Sequence, residues 1–471
     1  LVGKGKGAAI GAAVGGAVGA GTGALIGKKM DKQKKRYKLK KKKRQVNYVP
    51  ALIALVLILC VSIGVVVSAV SHSKKNKSDI ASSNNASGNT TEMTTVPETT
   101  TSEPEVEINV CMIGDLLIHE GVYKTGLESD GSYNFDHLFA NILPDLAASD
   151  MNIVNQETIL GGTEMGLGGY PAFNSPQEIG DAEVKAGFNI ILHATNHTLD
   201  RGLSGVNNTI EFWKTKHPDT TYLGIHDSEE DAKNIYVYEK QGFKVAVLNY
   251  TYGTNGIAIP SSAPYCVDTF DDEAKVRDDI RRAHKLADMV IVCPHWGTEY
   301  VYESTSYQDQ WTNVFLEEGV DVVLGTHPHV IEPVKEFTRE SDGHKMVVYY
   351  SLGNFVSNQD EIPRMIGGMA KLTLYKKGDN ASIKSYEFEP VVTHKRYGYK
   401  EITTYKLSDY TPELASQNKI LSDPTCCYTG YFGCICGATL FDYPTHGPRN
   451  FSVDYCKQFC KAVLGDIYKD E

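Results

Sequence analysis

Residues 320–329 read Val-Asp-Val-Val-Leu-Gly-Thr-His-Pro-His, a short apolar run that breaks into two histidines around a proline. The same construction recurs along the chain. Val106–Ile113, Met151–Val154, Asn189–Leu192, Val245–Leu248, Met289–Val292, Val320–Leu324 and Met346–Tyr350 are β-rich runs. Between them, apolar residues three or four apart predict helices over 136–148, 203–216, 273–286 and 307–318. Strands alternating with helices argue for an α/β layered domain with much parallel pairing. Lys371–Tyr375 and Ser382–Phe388 flank the turn Lys377-Gly378-Asp379-Asn380, a hairpin that makes the sheet mixed.

The chemistry sits where the apolar runs stop. Gly114, Asp115 and His119 follow the first run; Asn155 and Glu157 follow the second. His193, Asn196, His197 and Asp200 follow Ile190-Ile191-Leu192. His295 and Glu299 come after Val290-Ile291-Val292, and His327 and His329 after Val322-Val323-Leu324. In open α/β sheets ligands bind at the carboxyl ends of the strands, so all five clusters would project to one side. Taken singly, a histidine after a strand is usually structural, and a Gly-Asp pair usually makes a turn. Five strands ending alike in carboxylate, amide and imidazole groups carry the ligand types of a divalent metal.

These residues also resemble a known family. Gly114-Asp115, Asn155-Gln156-Glu157, Asn196-His197-Thr198-Leu199-Asp200-Arg201-Gly202, His295-Trp296-Gly297-Thr298-Glu299-Tyr300, Gly325-Thr326-His327-Pro328-His329-Val330 and Ser351-Leu352-Gly353-Asn354-Phe355 are similar, in order, to motifs of the CapA/PgsA family of poly-γ-glutamate capsule-synthesis proteins. The likeness runs from about 106 to 400. It implies a relationship to calcineurin-like metallophosphoesterases, and so a layered α/β/β/α sandwich of metallophosphoesterase type with a two-metal site. Two departures from the phosphoesterase pattern stand out. The Asp-x-His first motif is missing its histidine, because Leu116 and Leu117 follow Asp115, and the Gly-Asp-x-x-Asp motif is replaced by the segment ending in Glu157.

The resemblance implies that Asp115, Glu157, Asn196, His295, His327 and His329 hold one or two divalent ions of Mn, Zn or Fe. His197 would then protonate the leaving group, with Asp200 orienting its ring. The substrate would be a phosphoester, or an amide bond in poly-γ-glutamate or a related anionic envelope polymer. The alternative is a non-catalytic membrane subunit of a polymer synthase or exporter, whose metal centre binds the polymer. Other membrane subunits of a capsule synthase are the expected partners in either case.

Charge divides the chain. Residues 1–47 hold fourteen Lys or Arg against Asp31, giving +13, and the net −11 therefore leaves −24 on the remainder. Such an acidic body excludes nucleic acid as a partner. From Val49 to Val70 runs an uncharged stretch of 22 residues. At about 1.5 Å per residue it spans roughly 33 Å of helix, enough to cross a bilayer. The basic residues before it predict an uncleaved signal anchor, a single pass in the cell membrane with the N-terminus cytoplasmic and the main domain extracytoplasmic.

The expected organisation follows: a glycine-zipper segment over 1–30, a basic cytoplasmic segment over 31–48, the transmembrane helix over 49–70, a disordered Ser/Thr-rich linker over 71–104, the main domain over 105–400 and a C-terminal extension over 401–471. Glycines recur every fourth residue from Gly3 to Gly27, a spacing that lets helix backbones approach closely. That segment reads either as a second membrane helix or as one foreign to the rest of the chain, since Met30 opens a conventional anchor. Six of the ten cysteines crowd into 426–460 without a zinc-ribbon spacing. They are expected to pair as disulfides, or else the tail is foreign to the domain.

Overall fold

The computed structural model describes residues 104–359, 361–396, 401–418 and 451–470, and the backbone at 429–430 and 433–434. The expected anchor over 49–70, the zipper and most of the linker lie outside the described residues. Among the described residues no helix is long and apolar enough to cross a membrane.

The strands are β1 (Glu105–Leu116), β2 (Met151–Gln156), β3 (Ile190–Leu192), β4 (Thr221–Leu223), β5 (Tyr236–Lys240), β6 (Phe243–Thr251), β7 (Met289–His295), β8 (Val322–Leu324), β9 (Val334–Thr338), β10 (Lys345–Tyr349), β11 (Asn354–Val356), β12 (Ile366–Lys377), β13 (Asn380–Lys395) and β14 (Ile402–Lys406). The helices are α1 (Glu120–Tyr123), α2 (Leu143–Ala147), α3 (Glu178–Ala186), α4 (Gly202–Lys216), α5 (Glu273–Leu286), α6 (Ser306–Glu318), α7 (Pro412–Gln417) and α8 (Val453–Leu464). One sheet has the order β14-β13-β12-β1-β2-β3-β4, with β11 pairing the end of β1. The other has the order β5-β6-β7-β8-β10-β9. The central pairs β1–β2, β2–β3, β6–β7 and β7–β8 are parallel, and the outer hairpins are antiparallel, so both sheets are mixed.

Alternation along the strands builds the layers. Val106, Ile108, Val110 and Met112 of β1 meet Val245 and Val247 of β6 and Met289 and Ile291 of β7 in one core between the sheets. The intervening Cys111 and Ile113 face a second core with Ile179 of α3 and Phe212 and Trp213 of α4. On the far side, Val290 and Val292 pack against Val276 and Ile280 of α5 and Trp311 and Phe315 of α6. Strands with both faces covered explain why β2 and β7 are buried along their whole length, as continuous apolar runs require. The expected α/β class is thus observed, with helices outside two facing sheets.

Three expectations need correction. The helix over 136–148 is a 3₁₀ turn at Asp136–Leu138 followed by the short α2. Pro144 lacks the N–H that a continuous helix would need, so the helix can only start anew beside it. The division at 400 also fails. Strand β14 extends the first sheet, and α8 buries Tyr455, Cys456, Phe459, Cys460, Val463 and Leu464 against the inter-sheet core. Finally, Cys456 and Cys460 are buried free thiols, as are Cys111, Cys266 and Cys293. They pack as small apolar groups on one helix face, and burial pushes Cys456 up to about 12, which leaves it unreactive. The cysteines at 426, 427, 434 and 436 fall outside the described side chains.

Candidate metal centre

The carboxyl ends of β1, β2, β3, β7 and β8 converge, and all six residues predicted as ligands meet there. A register shift between Ile113 and Asp115 turns Asp115 inward at the end of β1. Gly114 makes this possible: a Cβ there would lie 2.0 Å from the Gly353 carbonyl oxygen, closer than any side chain tolerates. Glu157 follows β2, and its carbonyl accepts from Thr195 Oγ1 at 2.7 Å, tying it to the loop after β3. His295 ends β7. His327 and His329 follow β8 with φ of 101° and 59°, left-handed values that bulky side chains rarely adopt outside functional sites.

Two candidate ligand groups result: Glu157 with His295 and His327, and Asp115 with Glu157 and His329. In each, the ligand atoms lie within 4.8 Å of one another, and Glu157 belongs to both. Asn196 joins them, its Oδ1 2.9 Å from His295 Nε2. All these side chains are buried. Neither Glu157 oxygen has a hydrogen-bond partner among the described residues, and neither does His327 Nδ1. Buried polar atoms left without partners are costly, so their clustering fits a cation that would satisfy them. Carboxylate, amide oxygen and imidazole together suit a divalent transition metal.

The electrostatics point the same way. Burial pushes His295 and His327 well below the ordinary histidine range, with neighbouring histidines adding to it. Both are therefore neutral, the form that ligates. Burial pushes Glu157 well up, with Asp115 contributing and His329 opposing. At His329 burial disfavours the charge, but Glu157 and the Asp115 hydrogen bond outweigh it and hold the ring up at about 9. The acidic side chains of Glu157 and Asp115 thus favour positive charge at this point of the site.

His197 and Asp200 stand beside the ligands. His197 Nδ1 lies 2.7 Å from Asp200 Oδ2, and the same oxygen accepts the Phe173 N–H at 2.7 Å. Phe173 packs edge-on against the His197 ring at 4.7 Å. Adjacent residues thus diverge as the strand-end geometry allows, Asn196 toward His295 and His197 toward Asp200.

Several contributors were not predicted as site residues. Asn155 Nδ2 donates to Asp115 Oδ1 at 2.8 Å, and His329 Nδ1 lies 3.0 Å from Asn354 Oδ1. Both asparagines stand in the motifs quoted above, so position after a strand was the available signal. Tyr252, whose ring lies 4.6 Å from His327, and Asn255, whose Oδ1 accepts from Asn196 Nδ2 at 3.2 Å, come from the loop after β6. Nothing local in 252–255 marks them. His119 is no member of either ligand group; its ring packs on Phe173 at 5.2 Å.

Residues 109–359 match the family described as bacterial capsule synthesis protein PGA_cap, and residues 1–34 match a glycine zipper family. Capsule biosynthesis protein CapA of Bacillus anthracis is 28% identical over 262 residues, 54% of this chain and 60% of the relative. PGA biosynthesis protein CapA of Bacillus subtilis is 30% identical over 210 residues, 44% and 52% of the two chains. The chain thus spans a little over half the length of these curated relatives. Similar solved structures include a putative 5′-nucleotidase of Staphylococcus aureus, at 15% identity, TM-score 0.40 and coverage of 60% of this chain and 54% of the other. Another is the calcineurin-like phosphoesterase YfkN of Bacillus subtilis, at 14% identity, TM-score 0.35 and coverage of 61% and 91%. With more than half of its residues matched to the family, and with the motifs meeting at one buried centre, this chain belongs to the bacterial capsule synthesis protein family PGA_cap.

Proposed function

We propose that the chain is a membrane-anchored, extracytoplasmic metal-dependent hydrolase of capsule or envelope-polymer assembly, acting on an anionic polymer such as poly-γ-glutamate. The observation that carries this reading is the pair of ligand groups sharing Glu157, with His197 and Asp200 beside them. Family membership and the printed names of the two CapA relatives support the capsule assignment. The architecture of two facing sheets flanked by helices supports the metallophosphoesterase type, and the uncharged stretch over 49–70 supports the anchor.

In this reading Asp115, Glu157, Asn196, His295, His327 and His329 hold one or two ions of Mn, Zn or Fe. When bound, such an ion supplies Lewis acidity at the scissile group and activates a water nucleophile. The protein does the rest. Asp200 fixes the His197 ring through Nδ1, which leaves Nε2 to deliver a proton to the leaving group. Phe173 holds Asp200 in place through its backbone N–H and crowds the ring through its side chain, so the acid cannot swing away.

A second reading, a non-catalytic subunit of a polymer synthase or exporter that binds the polymer through the ion, draws on one observation. Leu116 and Leu117 are buried where the phosphoesterase pattern has its first-motif histidine, so the ligand set is narrower. The purified chain loaded with Mn²⁺, Zn²⁺ or Fe²⁺ separates the two. Metal binding with cleavage of a phosphoester or a γ-glutamyl amide supports the hydrolase. Binding with neither cleavage moves the protein to the second reading, and no binding ends both.

A further inference from the structure

The C-terminal helix lies against the loop that closes one side of the metal centre. Residues 297–305 connect β7, which ends in the candidate ligand His295, to α6. Attachments along its length hold this loop. Tyr300 N donates to the Pro328 carbonyl at 2.8 Å, between the two site histidines. Thr305 and Gln308 form a reciprocal capping box where α6 starts. Between them Tyr302 packs edge-on against Phe459 of α8, ring centroids 5.5 Å apart.

Tyr300 stands two residues before Tyr302 in the same loop. Its backbone has φ of 64°, a left-handed value that a tyrosine adopts only under external constraint. Its ring stands 6.0 Å from the His329 ring, and the Arg364 guanidinium lies over it, 3.5 Å from the ring centroid. Gln359 Nε2 donates to its hydroxyl at 3.1 Å. Phe459 is fully buried, and α8 carries the paired-apolar spacing of a helix with one buried face, closed at its start by Ser452 accepting from Tyr455 N.

We propose that α8 is a positioning element of the metal centre: by seating Phe459 against Tyr302 it holds the 297–305 loop, and through Tyr300 it holds His329, in ligand-holding geometry. Tyr302 and Phe459 are positioning residues, since neither touches the ligand atoms. The proposal rests on the metal-centre reading above, and it makes a tail that follows the family match part of the site.

The test compares the full chain with Phe459→Ala, Tyr302→Ala and, as a control on the same buried helix face, Val463→Ala. Mn²⁺ affinity is measured by calorimetry, and backbone hydrogen exchange over 297–305 is measured without metal. Phe459→Ala and Tyr302→Ala are each expected to weaken Mn²⁺ binding about tenfold, as loss of a supporting contact around a metal site does. Both should also speed exchange over 297–305. Val463→Ala is expected to lower the melting temperature while leaving affinity and loop exchange near wild type, which a merely stabilising role of α8 would not predict. Phe459→Leu replaces the alanine variant if the latter does not fold. Wild-type affinity and unchanged exchange in both test variants overturn the proposal. A wild-type chain that binds no Mn²⁺ sinks the metal reading instead, and the exchange comparison still decides whether α8 holds the loop.

Discussion

Glu157 and His197 are both buried at strand ends, yet their surroundings assign them opposite duties. Both carboxylate oxygens of Glu157 lack hydrogen-bond partners among the described residues, and both ligand groups include it. Glu157→Gln keeps the shape and removes the charge, so metal affinity should fall by at least about tenfold and metal content should drop at both positions. His327→Ala touches one group only and should leave the Asp115–Glu157–His329 group loaded. Elemental analysis after dialysis distinguishes the two outcomes; equal losses would show that the groups are not separate. His197 has its Nδ1 committed to Asp200 and belongs to neither group. His197→Ala should therefore keep metal content near wild type while lowering turnover by about 10²–10⁴, the usual contribution of a general acid. Loss of metal in that variant would place His197 among the ligands.

Helix α3 shows where element-level reading of the sequence stops. Its buried residues are Ile179, Gly180, Ala182 and Glu183, a face too small and too polar to register as apolar periodicity. Gly180 is needed because a Cβ there would come 2.4 Å from Phe212, so the helix is chosen by α4 across the contact rather than by its own pattern. Glu183 is fully buried, and neither of its oxygens has a partner among the described residues. Burial pushes its carboxyl well above the ordinary range. The native state therefore keeps a proton that the unfolded chain releases, and its stability falls as pH rises from the unfolded value of about 4.3 toward the native one. Glu183→Gln removes this dependence. Its advantage over wild type should grow with pH by up to about 1.4 kcal/mol per unit. Urea unfolding at pH 5, 6.5 and 8 checks this, and a constant difference across the series would refute it.

At the scale of the whole molecule, charge and hydropathy are divided along the chain. The first 47 residues carry +13, an uncharged stretch of 22 residues follows, and an acidic body of −24 includes the domain. We propose from this a cytoplasmic N-terminus and an outward-facing metal centre, because basic flanks are retained on the cytoplasmic side. Phosphatase and fluorescent-protein reporters fused after residue 75 should both report an extracytoplasmic position. A cytoplasmic readout at that point would reverse the topology and, with it, the proposed access to an envelope polymer.

Much of the fold was legible because it is written locally. Apolar runs of strand length, helices spaced between them and polar residues at each run's end are short-range patterns; they marked a dozen polar residues at strand ends, and the family resemblance singled out Asp115, Glu157, Asn196, His295, His327 and His329 among them. Tertiary structure alone decided what those patterns do together. It put the strands into two facing sheets, made Glu157 common to two ligand groups, and forced His327 and His329 into left-handed backbone. It brought Tyr252 and Asn255 to the site from a loop with no local signal, and it folded α8 back onto the domain. The physical reason is range. Periodicity and turn chemistry are set by neighbours a few residues apart, whereas buried charge, ring packing and shared ligands depend on residues brought together only when the sheets close.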